Sequence, residues 1–205
     1  GRVDRENNVP RLKSVGTTCA LCHSTVDNSF APGIGKRLDG WPNRDLNVGA
    51  IIALSPAVSD AEKMLLNKWG KGFYDPRHNV DGLNKPVVIP PAYGLAGINK
   101  ITFTGDGDVA VDFDGDGVKG GIAYWNRYVS ITQMGGLGTF SDSRLPLTVT
   151  NGTVDLVTDK LLALQAYQES LPAPPPPAGS FDAAAAARGK LLFEGQKAKC
   201  SSCHS

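Results

Sequence analysis

The sequence has no hydrophobic run of membrane-spanning length and almost no net charge. A transmembrane helix needs about 18 or more consecutive apolar residues, and no stretch of this chain approaches that length. The formal net charge is +1, so the composition gives no indication of a nucleic-acid-binding protein. A recognisable signal peptide is also missing: the chain begins Gly1-Arg2-Val3-Asp4, and we expect a processed or partial chain.

Aromatic residues are scarce as well, at 7% of the chain, whereas glycine (24 residues) and proline (14 residues) are plentiful. Such a composition predicts many loops and few side chains that could fill a core. A buried prosthetic group would compensate for this deficit. A secreted, loop-rich domain would have the same composition, so composition alone leaves both interpretations open.

The cysteines and histidines follow a regular pattern. There are four Cys and three His, and all four Cys and two of the His fall into two copies of one motif. The copies are Cys19-Ala20-Leu21-Cys22-His23 and Cys200-Ser201-Ser202-Cys203-His204. C-x-x-C-H is the attachment pattern of c-type haem: two thiols on one turn form thioethers with the porphyrin vinyl groups, and the histidine ligates the iron. The sequence therefore predicts two haem c groups, held by Cys19, Cys22 and His23 and by Cys200, Cys203 and His204.

Three other uses of paired cysteines fit the sequence less well. A disulfide framework does not require a histidine after each pair. A thioredoxin-like site needs one C-x-x-C near a βαβ pattern, which is not recognisable here, and the pairs of a four-cysteine zinc site lie about 15–20 residues apart rather than at opposite ends of a chain. Because haem attachment takes place outside the cytoplasmic membrane in bacteria, we expect a periplasmic or otherwise extracytoplasmic protein.

A proline-rich segment divides the chain. Residues 172–179 read Pro-Ala-Pro-Pro-Pro-Pro-Ala-Gly, which favours a semi-rigid polyproline II spacer of roughly 25 Å. We therefore expect a first haem domain at residues 1–171, a linker at 172–180 and the start of a second haem domain at 181–205. The sequence ends one residue after His204, too few residues to enclose a haem, so this second domain is expected to be incomplete.

Hydrophobic periodicity and capping residues predict four helices. They cover residues 154–171, 183–193, 59–69 (opened by a Ser59–Glu62 capping box) and 122–133. Residues 86–91 are expected to be extended.

Several stretches resemble a known family. The sequence Leu164-Gln165-Ala166-Tyr167-Gln168-Glu169-Ser170-Leu171-Pro172, followed by prolines, by Ala187-Arg188-Gly189-Lys190-Leu191-Leu192-Phe193 and by C-x-x-C-H, resembles the junction between haem domains of bacterial dihaem c-type cytochromes. Residues 29–35 and 37–43 are similar to the segments after the first motif in the same group, which includes the dihaem cytochrome c peroxidases. The resemblance implies a mainly α fold: a cytochrome c-like haem domain with long loops, followed by a truncated second cytochrome c-like domain.

An electron-transfer iron normally has Met or His as its sixth ligand. Outside the two motifs the chain offers Met64, Met134 and His78. Met64 lies on the apolar face of a predicted helix, where core packing is the simpler interpretation, and His78 lies in a polar loop. Met134 precedes Gly135 and Gly136, which let the backbone approach a porphyrin closely, so we expect Met134 to be the sixth ligand of the first haem.

The surroundings of His23 can also be predicted. An iron-ligating histidine donates its second N–H to an acceptor that fixes the ring, and the family resemblance implies the carbonyl of Pro32. Arg37, Trp41 and Arg44 are candidates for holding haem propionates, although solvated surface positions would suit both arginines equally well.

An acidic, glycine-rich stretch suggests a calcium site. Its carboxylates are Asp106, Asp108, Asp112, Asp114 and Asp116. The start of an EF-hand loop is copied by Asp112, Asp114 and Asp116, but Ala123 stands where the bidentate Glu is required. Either Asp106 or Asp108 could replace that ligand; otherwise this is a solvated acidic loop.

Three functions remain open from the sequence. The first is electron transfer by a dihaem cytochrome between partner redox proteins. The second is reduction of hydrogen peroxide at an open haem iron; the Arg-Asn-x-Pro stretch usual in the dihaem peroxidases is not found after the first motif, which favours the electron carrier. The third is a haem subunit of a larger electron-transfer complex, in which a neighbour completes the second haem domain.

Overall fold

A computed structural model describes residues 2–14, 16–98, 100–101, 107–108, 121–142 and 147–202. The chain forms two compact units, Gly1–Pro172 and Ala173–Ser205, so the division falls at the first residue of the predicted linker. Within the ranges just given, none of the helices is long and apolar enough to cross a membrane.

The first unit opens with short antiparallel ribbons around one helical turn. Strands β1 (Arg2–Glu6) and β2 (Val9–Ser14) form the first ribbon. The turn, α1 (Cys19–Cys22), then leads into β3 (Ser24–Val26), which pairs with β4 (Arg37–Asp39). The β3–β4 ribbon therefore starts directly behind the first C-x-x-C-H motif.

Helices α2 (Val48–Ala53) and α3 (Asp60–Leu66) come next. Each has a side-chain N-cap: Asn47 Oδ1 accepts from the Ala50 N–H at 3.0 Å, and Ser59 Oγ accepts from the Glu62 N–H at 3.3 Å. The helix expected at 59–69 thus begins at the predicted cap and ends earlier, at Leu66.

A pair of very short strands connects these helices to the site. Strand β5 (Phe73–Tyr74) pairs with β6 (Val87–Val88), and the one-turn helix α4 (His78–Asp81) lies between them in sequence. The stretch expected to be extended, 86–91, contains β6, and the N–H of the buried Ile89 continues the pairing by donating to the Gly72 carbonyl at 2.9 Å. Strands β7 (Lys100–Ile101) and β8 (Gly107–Asp108) form a further ribbon.

The main hydrophobic core lies farther along the chain. Helix α5 (Ile122–Tyr128) continues into a π-helical turn (Val129–Gln133), so the helix expected at 122–133 changes its hydrogen-bond pattern midway. Strand β9 (Gly138–Asp142) pairs with β10 (Leu147–Asn151). The buried side chains of this core are Tyr124, Tyr128, Ile131 and Phe140.

Helix α6 (Thr158–Glu169) begins later than the expected 154–171. Asp155 fixes its start, because its Oδ1 accepts from the N–H groups of Val157 and Thr158 at 2.8 and 2.9 Å. The buried Arg127 pairs with Asp155 Oδ2 at 3.2 Å. Asn126 Nδ2 also donates to Gln168 Oε1 at 2.6 Å, which holds α6 against α5.

The second unit contains α7 (Ala183–Glu194) and a 3-10 turn (Cys200–Ser202). Asp182 caps α7 by accepting from the N–H groups of Ala184 and Ala185. The helix ends at Glu194, one residue beyond the expected 183–193, and Gly195 is its C-cap.

The expectation of a mainly α fold is wrong. Helices alternate with five two-stranded antiparallel sheets in the described part of the chain, which makes the architecture mixed α and β. The strands are two to six residues long, and runs this short are too brief to show the alternating hydrophobicity by which strands are recognised. The β9–β10 ribbon still contributes to the hydrophobic core, because β9 carries the fully buried Phe140.

Candidate haem-attachment site

The first C-x-x-C-H motif folds as a single helical turn. In α1 the N–H of Leu21 donates to the Thr18 carbonyl at 2.9 Å, and the N–H of His23 donates to the Cys19 carbonyl at 3.0 Å. This turn places the two thiols three residues apart on one helical face, and neither Cys19 nor Cys22 is in a disulfide. Both thiols are partly buried and reduced, which is the state that thioether formation requires.

The carbonyl end of α1 is held by the segment from Gly40 to Asn43. The Gly40 N–H donates to the His23 carbonyl at 2.9 Å, and the Asn43 N–H donates to the Cys22 carbonyl at 2.8 Å. The side chain of Asn43 adds a third bond, from Nδ2 to the Leu21 carbonyl at 3.1 Å. These donors satisfy carbonyls that a helix end otherwise leaves without partners.

The His23 ring is held by a separate contact, with Pro90. Its Nδ1 lies 3.1 Å from the carbonyl oxygen of Pro90, and because a carbonyl only accepts, Nδ1 carries the proton. Nε2 is then the nitrogen with a lone pair available for a metal. Burial lowers the pKa of His23, and the hydrogen bond to Pro90 opposes that shift only in part. The ring is therefore neutral, the form that ligates metals, near neutral pH.

The acceptor implied by the family resemblance, Pro32, is not the one observed. Pro32 lies in the exposed turn closed by the Ala31–Ile34 bridge. Pro90 follows the buried Ile89, and the β5–β6 ribbon fixes that position through the bond to Gly72. The acceptor therefore comes from the segment that follows β6 rather than from the loop after the motif.

Burial also affects the two thiols. It is the largest cause that raises the pKa of both Cys19 and Cys22. The electrostatic interaction with the neighbouring Cys19 is a smaller cause that raises the pKa of Cys22. Both side chains consequently remain protonated thiols near neutral pH rather than reactive thiolates.

An open cleft adjoins the motif. From the motif it is lined by Cys19, Ala20 and His23; from the facing elements it is lined by Arg37, Asp39, Gly40, Ala92, Leu164, Tyr167, Gln168 and Leu171. One wall is thus the last two turns of α6. This wall is held in place because Tyr167 donates to Asp39 Oδ2 at 2.9 Å and the Gly94 N–H donates to the Leu171 carbonyl at 2.8 Å.

Arg37, Asp39 and Tyr167 bring polar side chains to this cleft. The pKa of Asp39 is lowered chiefly by the hydrogen bond from the Tyr167 hydroxyl. Hydrogen bonds from Arg37 and Ser24 make smaller contributions. The arrangement separates the side chains that were expected to hold propionates. Arg37 lines the cleft of His23, whereas Trp41 and Arg44 line a second groove with Thr25, Val26, Asp27, Asn28, Leu38, Pro42 and Asp45.

Met134 is partly buried directly after the π turn, and its N–H donates to the Val129 carbonyl at 3.1 Å. The preceding residue, Gln133, is bonded to β5, because its Oε1 accepts from the Tyr74 hydroxyl at 2.9 Å. Burial is the largest cause that raises the pKa of Tyr74. Met134 is not among the described residues that line the cleft, and its role as the sixth ligand stays a prediction.

The other two candidates for the sixth ligand occupy different surroundings. His78 Nδ1 bonds the Leu83 carbonyl at 2.8 Å, and its Nε2 lies 3.5 Å from Glu62 Oε1, so both ring nitrogens have partners. Met64 is 66% exposed, so the expectation that it packs in a core is wrong: α3 turns this face to solvent.

The second motif is described only in part. Cys200 begins the 3-10 turn, is reduced and partly buried, and its Sγ lies 3.7 Å from the Ala198 carbonyl. The predicted ligands Cys203 and His204 lie outside the described residues. The same is true of Asp112, Asp114 and Asp116 in the predicted calcium loop. In the ranges that are described, there is no cluster of three or more His, Cys, Asp or Glu that could hold a metal ion.

Sequence reasoning missed the residues that support the motif from outside it. Asn43 and Pro90 contribute through a side-chain amide and a backbone carbonyl, and neither follows a spacing rule. The only available signal was the turn-forming Trp41-Pro42-Asn43 sequence. A comparison of the chain with protein-family models, curated proteins and solved structures found no match.

Proposed function

We propose that this protein is a dihaem c-type electron carrier, with haems attached at Cys19, Cys22 and His23 and at Cys200, Cys203 and His204. One observation carries the proposal. The first C-x-x-C-H motif forms a turn with two reduced thiols, next to a histidine whose Nδ1 is held by Pro90 so that Nε2 is left to ligate iron.

The donor set of the first motif fits a covalently held haem. Cys19 and Cys22 would hold the haem through thioethers, each thiol adding its sulfur to one vinyl carbon and its hydrogen to the other, with nothing released. His23 supplies a neutral nitrogen ligand whose orientation is fixed by its bond to Pro90. When bound, the haem iron supplies a site that gains and loses a single electron.

The proposal includes Met134 as the sixth ligand of the first haem. The bond between Gln133 and Tyr74 ties the residue before Met134 to β5. Strand β5 pairs with β6, and Pro90, the acceptor for His23, lies two residues after β6. His78 is the weaker candidate, because both of its nitrogens are engaged. Ligation by His and Met would raise the reduction potential relative to ligation by two histidines.

The proposed location is extracytoplasmic, and in bacteria periplasmic, because attachment of haem c takes place there. The proposed partners are other redox proteins that deliver and accept single electrons. They are inferred from the proposed cofactor.

The absorption spectrum of the reduced protein, recorded together with turnover of hydrogen peroxide, tests this function. An electron carrier gives a six-coordinate, low-spin spectrum at the first haem and no peroxide turnover. A five-coordinate, high-spin iron with peroxide turnover would contradict the proposal and favour the peroxidase. A protein without covalently bound haem would contradict both.

A further inference from the structure

The attachment turn α1 is too short to be stable by itself. It spans four residues, whereas isolated helices shorter than about 12 residues are marginal in water. The haem motif must nevertheless hold two thiols and a histidine in fixed positions before any thioether exists. Bonds from outside the turn have to supply that order.

Asn43 supplies two of those bonds. Its backbone N–H donates to the Cys22 carbonyl at 2.8 Å, and its Nδ2 donates to the Leu21 carbonyl at 3.1 Å. The orientation of the amide is set by a further bond, because Oδ1 accepts from the Asp45 N–H at 3.3 Å. The half-buried Asn43 therefore presents a donor to α1 on one side and an acceptor to its own loop on the other.

The segment that carries Asn43 is itself fixed. Gly40 donates to the His23 carbonyl at 2.9 Å and accepts from the Ala92 N–H at 2.7 Å. Its φ is +79°, and a Cβ at this position would lie 3.0 Å from the Ala92 carbonyl oxygen, so glycine is required there. Ala92 comes two residues after Pro90. The short segment 90–92 therefore bonds the His23 ring directly, through Pro90, and supports the His23 carbonyl indirectly, through Gly40.

We propose that Asn43 is a positioning residue for haem attachment at the first motif: its amide holds the Leu21–Cys22 end of the turn so that both thiols and His23 face one porphyrin. This inference rests on the proposed function. It adds a residue, 20 positions beyond His23, that the C-x-x-C-H pattern does not contain.

The substitution Asn43→Asp tests the proposal with almost no change in shape. An aspartate keeps the acceptor for Asp45 but places an oxygen against the Leu21 carbonyl where a donor stood. The matched control is Asn47→Asp, which adds the same charge nearby and keeps its cap on α2, because only its side-chain oxygen is used there. The second motif in the same chain serves as the internal control.

The full chain is produced with a c-type maturation system, and haem on each motif is measured by the mass of the two cysteine-containing peptides. For Asn43→Asp we expect the ratio of haem-bearing to haem-free first peptide to fall about tenfold, as loss of one partly buried hydrogen bond implies. The second peptide and Asn47→Asp should match the unsubstituted chain. An unchanged first peptide, or an equal loss at both motifs, would overturn the proposal.

A second readout separates positioning from general stability. In a background with Cys200→Ser and Cys203→Ser, only the first haem remains, and its reduction potential can be measured alone. Asn43→Asp should shift that potential because the turn that leads to His23 is no longer held at the Leu21 carbonyl, whereas Asn47→Asp should not; equal potentials would contradict the positioning role. If the unsubstituted first peptide carried no haem, the proposed function itself would fail, which is a distinguishable result.

Discussion

At the scale of single residues, the environment of His23 determines what the first motif can do. Pro90 fixes the protonated nitrogen, and Gly40 and Asn43 fix the backbone around the ring. A ring whose Nδ1 is held and whose backbone is fixed would lose little conformational freedom if Nε2 took a metal, and the hydrogen bond to Pro90 would raise the basicity of that nitrogen.

The sixth ligand can be tested by replacing the two methionines in turn. Met134→Ala should convert the first haem from six-coordinate to five-coordinate and lower its reduction potential, because a thioether ligand is lost. Met64→Ala is the control, since that side chain is largely exposed on α3. Absorption spectra and potentiometric titration measure both effects, and a six-coordinate Met134→Ala protein would show that another side chain is the ligand.

Whether a residue of the candidate site could be predicted depends on how far along the chain its partner lies. Cys19, Cys22 and His23 were singled out by a five-residue pattern, because the proposed thioether chemistry sets the spacing. Pro90 lies 67 positions from His23 and contributes only a backbone carbonyl, which every residue type has. The sequence therefore contained no signal for this partner.

At the scale of secondary-structure elements, the start of α6 determines where one wall of the cleft lies. Asp155 accepts from two N–H groups of the first turn and pairs with the buried Arg127. Burial would raise the pKa of Asp155, but the bonds from Thr158 and Val157 and the charge of Arg127 hold this pKa well below its usual range. The carboxylate is thus the form that supports the helix.

We expect Asp155→Asn to lower the free energy of unfolding by about 1–3 kcal/mol at neutral pH. Because the folded-state pKa is depressed, the contribution of Asp155 is present above its unfolded pKa of about 3.9 and is lost as the pH falls below that value. The variant should therefore differ most from the parent near neutral pH and converge with it in acid. Asp159→Asn, at an exposed position of the same helix, should change stability by less than about 0.5 kcal/mol; denaturant titrations across the pH range measure both, and a constant difference at all pH values would contradict this role.

The contact between α2 and α3 is another point where one residue controls two elements. A Cβ on Gly49 would lie 2.0 Å from the Leu66 carbonyl oxygen, so Gly49→Ala has to push the helices apart. We expect a loss of about 1–3 kcal/mol, visible as a lower melting temperature. Gly189→Ala in α7 is the control, because nothing lies within 4 Å of the added methyl group and alanine favours helix there; equal melting temperatures for the parent and Gly49→Ala would contradict the close contact.

The helices were largely predictable and the strands were not. Caps such as Ser59 and Asp182 and the apolar spacing of α6 are local signals, and the observed helices begin at or near them. The ribbons β5–β6 and β9–β10 depend on pairing between separate segments, which a local pattern does not encode. This difference explains why a mainly α fold was expected and a mixed one was found.

At the scale of the whole molecule, the two C-x-x-C-H motifs belong to different units. The first lies in Gly1–Pro172, together with the cleft that Cys19 and His23 line and the bonds that hold α1. The second lies in Ala173–Ser205, where Leu191, Leu192 and Phe193 of α7 are exposed. The division near residue 172 follows from the proline-rich composition, because consecutive prolines cannot continue a helix.

The central claim is most directly tested by the intact mass of the full chain under denaturing conditions, after production beside a control c-type cytochrome that the same cells load with haem. We predict a mass equal to the polypeptide plus two haems, and plus one haem in the Cys19→Ser and Cys22→Ser double variant. The bare polypeptide mass, or a mass two hydrogens lower for each cysteine pair as in disulfides, would contradict covalent haem attachment.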